Sequence, residues 1–510
     1  MSTEVLIQAK WILERFNAKG KPILHRDAGI LVNGTQVQQI GQFSELRRIY
    51  PNLTILGNKE SIVVPGFINA HHHVGLTPLQ LGSLDYPLEL WFASRIGLRD
   101  VDLRLDTLYS AFEMISSGVT TVQHLHSRAP GGVQGLEKSS KLVIEAYREI
   151  GMRLSYSMAL RDQNRLVYEA DEDFIKRLPR KFRPGLSEYL KDFAVPLDDQ
   201  IGFFESLYKK YKDESRIRVQ LAPSNLHWLS DAALEKTADT QNKFDVPLHM
   251  HLLETPYQKI YANKRTANSA LSHINKFGLL GPQLTIGHGV WVNEEEVDLI
   301  AETGTNICHN CSSNLRLKSG VAPIKSFFEK NIPVALGIDE AGINDDRDML
   351  QEMRLVLMIH QKPGIGACSL NSSEVLRMAT EFGARTTPYG DSIGQLSKGS
   401  EADLIILNHK KMIYPYQSED INIVDVLIQR TKPKAVETVL VAGEVVYNEG
   451  KFIKVNRDGI LSEIAEGLSY PLSKEEMKRQ ELARSVFPHV KKFYEDHYQH
   501  KINLQMSKNN

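Results

Sequence analysis

Past residue 64 the chain alternates two textures. Short, nearly continuous apolar runs, bounded by turn residues, give way to longer stretches whose apolar positions recur every three or four residues. Runs of the first kind predict buried strands and stretches of the second predict amphipathic helices. Eight strands are expected: Phe67–His73, Thr120–His126, Arg153–Leu160, Ile217–Pro223, Val246–His251, Leu284–Val290, Thr305–His309 and Pro333–Asp339. Helical stretches such as Asp106–Ser117 and Glu294–Glu302 lie between them. Strands alternating with helices predict an α/β fold with a parallel sheet, and eight units fit a TIM-type (β/α)8 barrel. The flanks read differently. Glu4–Ala9, Ala28–Val32, Gln36–Ile40 and Ile62–Val64 are short strands, with Asn33-Gly34 as a turn signal. The same texture returns in Ala402–Leu407 and Val436–Tyr447, around Ala442-Gly443. The expected organisation is a discontinuous β-sandwich from residues 1–64 and 395–460, a barrel over 65–394, and a helical C-terminal tail over 461–510. The longest insertion, from Arg161 to about Gln200, is charge-rich and reads either as a solvated excursion or as a lid.

Length agrees with more than one structural unit, since 510 residues exceed an ordinary single core. Lys+Arg 61 against Asp+Glu 62 leaves a net charge of -1, which gives no support to a nucleic-acid or anionic-membrane partner. The opening MSTEVLIQAK has no basic stretch followed by an apolar segment, and no apolar run reaches the roughly 18 residues that span a bilayer. Three cysteines, Cys308, Cys311 and Cys368, are too few for a disulfide framework and suit a reducing compartment. The expected location is cytoplasmic.

Barrel chemistry sits at the C-terminal ends of the strands, and here those ends carry histidines and carboxylates. His71 and His73 close the first strand two residues apart, so both can face the axis, while His72 points toward the helices. Imidazoles held by a rigid strand suit a divalent metal. The fifth strand ends in His249-Met250-His251-Leu252-Leu253-Glu254, where one histidine can add a ligand and Glu254 can move a proton from water to substrate. His288 lies between two glycines, with room for a ligand. Asp339 ends an apolar strand and must be paired or metal-bound, because a bare buried carboxylate is costly.

Pro65-Gly66-Phe67-Ile68-Asn69-Ala70-His71-His72-His73 resembles the PGxxxxHxH motif of the amidohydrolase superfamily. His249 to Thr255 is similar to its HxHxxET segment, and His288-Gly289-Val290-Trp291, Asn310 to Leu315 and Leu336 to Asp339 follow in order. The resemblance runs from about residue 4 to residue 455 and is greatest to the branch holding adenosine-type, guanine and cytosine deaminases with the triazine hydrolases. It implies one divalent metal, zinc or in some members iron, held by His71, His73, His251 and Asp339. It implies that Glu254 moves protons to a ring nitrogen. His288 would orient water or polarise the substrate, and Asp339 would take the water's proton.

The match fails at several positions. A Glu-Asp pair common after strand 1 corresponds to Leu84-Asp85, and Glu340 stands where glycine is frequent. His124 and His126 form a second HxH, open to a metal, substrate or structural reading, although strand 4 offers no lysine to bridge two metals. Cys308-His309-Asn310-Cys311 has CxxC spacing without a second CxxC to complete a zinc site, and His227, His273 and His360 read as packing or surface histidines. Candidate substrate contacts are Gln80, Asp85, His124, Arg161 and Arg316. The expected activity is hydrolytic deamination of a small aminated heterocycle (pterin, purine, pyrimidine or triazine). Hydrolysis of an alkylamine, chloride or cyclic amide bond is the alternative, and a non-catalytic scaffold is the alternative of another class. The expected partners are a small molecule and further copies of the chain, as a homodimer or higher oligomer, with no nucleic acid or membrane.

Overall fold

The computed structural model describes residues 4–73, 75–126, 130–266, 269–365 and 370–502; Cys368 and the final stretch 503–510 of the expected tail lie outside them. Strands β1 (Glu4–Phe16), β2 (Pro22–Asn33), β3 (Gln36–Gln42), β4 (Thr54–Gly57) and β5 (Ser61–Pro65) open the chain. Nine short strands follow: β6 (Phe67–His72), β7 (Val119–His126), β8 (Arg153–Leu160), β9 (Ile217–Val219), β10 (Ala222–Pro223), β11 (Leu248–Leu252), β12 (Leu284–His288), β13 (Asn306–His309) and β14 (Val334–Leu336). Four more, β15 (Leu404–Asn408), β16 (Val436–Val441), β17 (Glu444–Asn448) and β18 (Lys451–Phe452), return near the end.

The central strands are buried throughout or nearly so, as parallel strands covered by helices on one face must be. They pair in parallel as two sheets, β6 to β10 and β11 to β14. Backbone bridges join the sheets at both edges, Leu221 with Leu248 and His72 with Asp339. The strands therefore follow one another in sequence order around a closed circuit. Helices pack outside it, and their inward faces merge with the strands into one large apolar core.

The first and last segments pair into a single nine-stranded sheet, with β5 lying between β1 and β15. The β1–β2 hairpin extends well beyond the expected Glu4–Ala9 and Ala28–Val32, because Trp11 to Phe16 go on pairing with Arg26 to Pro22 across a register shift between Leu13 and Arg15. Glu14 and Arg15, set between the buried Ile12, Leu13 and Phe16 where the register shifts, break the alternation that would mark the strand in the sequence. Ala442 and Gly443 take positive φ (49° and 73°) in the β16–β17 turn, as a two-residue hairpin requires. This sheet has its own core, with Ile7, Ile12 and Ile30 meeting Leu404, Ile406 and Leu440.

A third apolar cluster unites the insertion with the C-terminal helix Lys474–Tyr494. Leu166, Phe174, Leu186 and Leu190 meet Val486, Val490 and Phe493 beside Ala93 and Ile96. The C-terminal helix is thus packed structure over one end of the strand circuit. No helix among the described residues is long and apolar enough to cross a membrane.

One buried ion pair ties the terminal sheet to the strand circuit. Arg153 on β8 is 1% exposed and donates from Nε to Asp403 Oδ2 at 2.6 Å and from Nη2 to Asp403 Oδ1 at 3.0 Å. Asp403 Oδ1 also accepts the Ala442 amide at 2.6 Å. Asp403→Ala would leave the buried guanidinium with Glu401, 2.7 Å from Nη2, in place of its bidentate partner, so a loss of about 3 kcal/mol is expected, read by denaturant unfolding.

Candidate active site

The site is built at the C-terminal ends of the central strands. Alternation along β6 sends His71 inward and His72 outward. There, His72 Nδ1 donates to the Asp339 carbonyl at 3.1 Å and Nε2 lies 3.3 Å from Ser110 Oγ. His73 Nδ1 donates to the Leu125 carbonyl at 2.7 Å, and His251 Nδ1 to the Ser224 carbonyl at 3.0 Å. Each bond fixes the tautomer, so the free electron pair of each Nε2 is turned into the site. These nitrogens are 3.4 Å apart. Asp339 Oδ1 lies 3.3 Å from His73 Nε2 and 3.6 Å from His71 Nε2. Ligand atoms about 2.0–2.2 Å from one tetrahedral ion lie about 3.3–3.6 Å apart, so this donor set fits a zinc-sized cation.

Two further observations support that fit. His71 Nε2 is fully buried with no hydrogen-bond partner, because Nδ1 faces His249 Nε2 at 2.8 Å. Burial, with the neighbouring histidines, holds His71 and His251 well below the usual imidazole range, and a ligating imidazole must be neutral.

Glu254 and His288 flank this group. His288 Nε2 is 3.8 Å from both Glu254 Oε2 and Asp339 Oδ2. His288 Nδ1 donates to Asn314 Oδ1 at 2.8 Å, and burial lowers its pKa against the pull of Asp339. Burial, and then the charge of Asp339, raise Glu254 well above the usual carboxylate range. Ser313 Oγ donates to Asp339 Oδ2 at 2.6 Å. Leu253, His288 and Asp339 all have left-handed backbones, with φ of 52°, 72° and 65°. Such strain gathers where surrounding structure imposes a side-chain direction, and here it marks three strand exits that face one space.

Of the five candidate substrate contacts, only Arg161 lines the adjoining cavity, its guanidinium 4.3 Å over the Trp228 ring. The other four are engaged elsewhere. Gln80 Nε2 donates to Tyr109 at 3.1 Å, and Arg316 Nε donates to Asp85 at 2.8 Å, with Asp345 as a second partner. His124 is buried against Tyr147 and Tyr156, whereas its HxH companion His126 does reach the cavity. Leu190 and Phe193 of the insertion, with Leu88, Trp91, Phe92 and Trp228, make the cavity walls largely apolar.

The sequence reading missed Glu89. On the helix Leu88–Ser94 it is buried, accepting from Tyr168 Oη at 2.8 Å and from Thr255 Oγ1 at 2.5 Å. It thereby links the insertion to the residue after Glu254. A lone carboxylate inside Pro87-Leu88-Glu89-Leu90-Trp91 was the available signal.

Comparison with known proteins gives a consistent picture. A model described as the amidohydrolase family matches residues 62–446. A 5-methylthioadenosine/S-adenosylhomocysteine deaminase of Thermodesulfovibrio yellowstonii is 24% identical over 472 residues, covering 90% of this chain and 97% of that protein. A 5'-deoxyadenosine deaminase of Methanococcus maripaludis is 27% identical over 451 residues, covering 87% and 96%. Among solved structures, an adenosine deaminase from Xanthomonas campestris with bound zinc superposes with a TM-score of 0.75 at 20% identity, over 91% of this chain and 97% of that one. Atrazine chlorohydrolase from Arthrobacter aurescens, complexed with zinc, gives 0.77 at 21% identity, over 91% and 99%. At these identities the likeness to solved structures is one of fold.

Burial pushes the Glu89 carboxyl up to about 7 from the usual 4.5. A raised folded value means that its contribution to stability is complete below about pH 4.5 and is lost as pH rises through about 7. Glu89→Gln is therefore expected to flatten the fall in unfolding free energy across that window, measured by denaturant titration at several pH values.

Proposed function

The chain belongs to the amidohydrolase family, and from that premise we propose that it is a metal-dependent aminohydrolase releasing ammonia from an aminated purine-type heterocycle. The observation that carries the reading is the convergence of His73 with His251 at 3.4 Å and of Asp339 with His73 and His71 at 3.3 and 3.6 Å, with Glu254 and His288 beside them. Relatives named as deaminases of 5-methylthioadenosine and 5'-deoxyadenosine, each matched over nearly its whole length, support a purine-type ring. We read the strand circuit, residues 65–394, as a (β/α)8 barrel. The terminal sheet, residues 1–64 and 395–460, is read as the discontinuous β-sandwich, and 461–510 as an appended helical unit. Buried, unbridged Cys308 and Cys311 suit a reducing compartment, and the proposal places the enzyme in the cytoplasm.

In this reading His71, His73, His251 and Asp339 hold one divalent cation. When bound it supplies Lewis acidity that brings the pKa of water toward neutrality, and three imidazoles with one carboxylate suit zinc, with iron as the alternative. The remaining work belongs to side chains. Glu254, held protonated by burial, donates to a ring nitrogen and makes the amine-bearing carbon electron-poor. Asp339 Oδ2, kept in place by Ser313, takes a proton from the attacking water. His288, neutral and oriented by Asn314, accepts at Nε2 and steers that water between Glu254 and Asp339. Water adds to the carbon, the amine leaves as ammonia with the one proton Asp339 took from that water, the adduct's hydroxyl proton returns to Glu254, and the ring keeps a carbonyl oxygen and its protonated nitrogen. The apolar walls around Trp91, Phe92 and Trp228 exclude solvent from the ring.

The metal-loaded protein is expected to release ammonia from 5'-methylthioadenosine or 5'-deoxyadenosine, with matching loss of the aminopurine absorbance. Ammonia-free turnover, or none in protein of verified metal content, would refute the reading. Glu254→Gln is expected to lower kcat by about 10²–10⁴-fold while keeping the metal. His251→Ala is expected to lose the metal, as elemental analysis would report.

A further inference from the structure

The CxxC stretch on β13 is not absorbed by the reaction. Alternation along the strand divides it. Cys308 lies on the inner side, with Sγ 3.5 Å from Asn310 Oδ1, and shares a cluster with His71 and His249. His309 faces the other way, toward the end of the helix Met349–Ile359, where it meets His360. Cys311, first residue of the helix Cys311–Arg316, joins them on that outer face.

We propose that His309, Cys311 and His360 form a second cation site, separate from the catalytic group and selective for zinc or a similarly thiophilic divalent ion. One ligand atom from each residue lies within 4.8 Å of the other two. His309 Nε2 and His360 Nε2 are 3.1 Å apart, close to the roughly 3.3 Å between two imidazole nitrogens on one tetrahedral zinc. For both Nε2 atoms to ligate, each ring must carry its proton on Nδ1, and the proton that now lies between the two Nε2 atoms must leave; His309 is 1% exposed and its Nδ1 has no hydrogen-bond partner, so no contact there holds the ring in the other tautomer. Two imidazoles and a thiolate are soft and borderline donors, which favour zinc over magnesium or calcium. Cys311 releases its thiol proton to solvent on binding, and the partly exposed side of His360 leaves the fourth position to water.

The location gives the site a consequence. The short helix that begins at Cys311 also carries Ser313 and Asn314, which hold Asp339 and His288. An ion pinning its first residue to the end of the helix Met349–Ile359 stiffens those supports without touching substrate.

Metal analysis and cobalt substitution test this on the full chain. After zinc loading and dialysis, two equivalents per chain are expected, falling to one in Cys311→Ser and in His360→Gln. The cobalt-loaded protein should show a thiolate-to-cobalt charge-transfer band in the near ultraviolet, lost in Cys311→Ser and kept in Cys308→Ser. A single zinc equivalent unchanged by either variant, two equivalents retained in both, or a band that follows Cys308 would overturn the proposal. Should Cys311→Ser fail to fold, His360→Gln at a partly exposed helix end carries the test. None of these readouts depends on deamination, so the two proposals stand or fall separately.

Discussion

Everything in this molecule is arranged around one costly act: crowding three imidazoles and a carboxylate into a buried space a few ångströms wide. Charged or unpaired polar groups resist such burial strongly. Burial lowers that cost by holding His71 and His251 neutral. The Leu125 and Ser224 carbonyls each accept a hydrogen bond, from His73 Nδ1 and His251 Nδ1, which leaves the Nε2 electron pairs facing inward. Ser313 and Asn314 do comparable service for Asp339 and His288. What remains is a donor set in which the buried His71 Nε2 has no hydrogen-bond partner, and the proposed cation would bind there.

Precision of that kind needs a rigid frame. His71, His73, His251 and Asp339 stand on or just past strands whose ends meet around a closed circuit, and the closing backbone bond, from the Asp339 amide to the His71 carbonyl at 2.8 Å, joins two of the four directly. Strain at Leu253, His288 and Asp339 is tolerated because neighbouring strands and buried helices over-determine the local backbone. The Arg153–Asp403 pair then anchors this frame to the terminal sheet, so segments from opposite ends of the chain brace one strand of the circuit.

Above the strand ends, the insertion roofs the cavity and rests on the C-terminal helix through a shared apolar cluster, the helix itself lining the neighbouring cavity with Arg479 and Leu482. Glu89 connects that roof to the floor, through Tyr168 on one side and Thr255, next to Glu254, on the other. The cavity's cations are already engaged, with Arg95 paired to Glu340 at 2.9 Å and Arg165 to Asp171 at 3.2 Å. Aromatic walls set edge to face and internally paired charges suit a flat, uncharged ring.

Strand positions, the histidine and carboxylate clusters at their ends and the return of β texture near residue 402 were legible in the sequence, because each depends on local periodicity or on residue type at a strand end. The outward turn of His72 was legible for the same reason: neighbours on a strand face opposite ways. Contacts between loops were not. Asp85 and Arg316 look like ligand-reaching charges until the fold pairs them, and His124 and His126 are equivalent in sequence yet only His126 reaches the cavity. The importance of Glu89, the roofing role of the C-terminal helix and the meeting of His309 with His360 were equally hidden. Which side chains meet across hundreds of residues is decided by packing, and no periodicity within a segment encodes it.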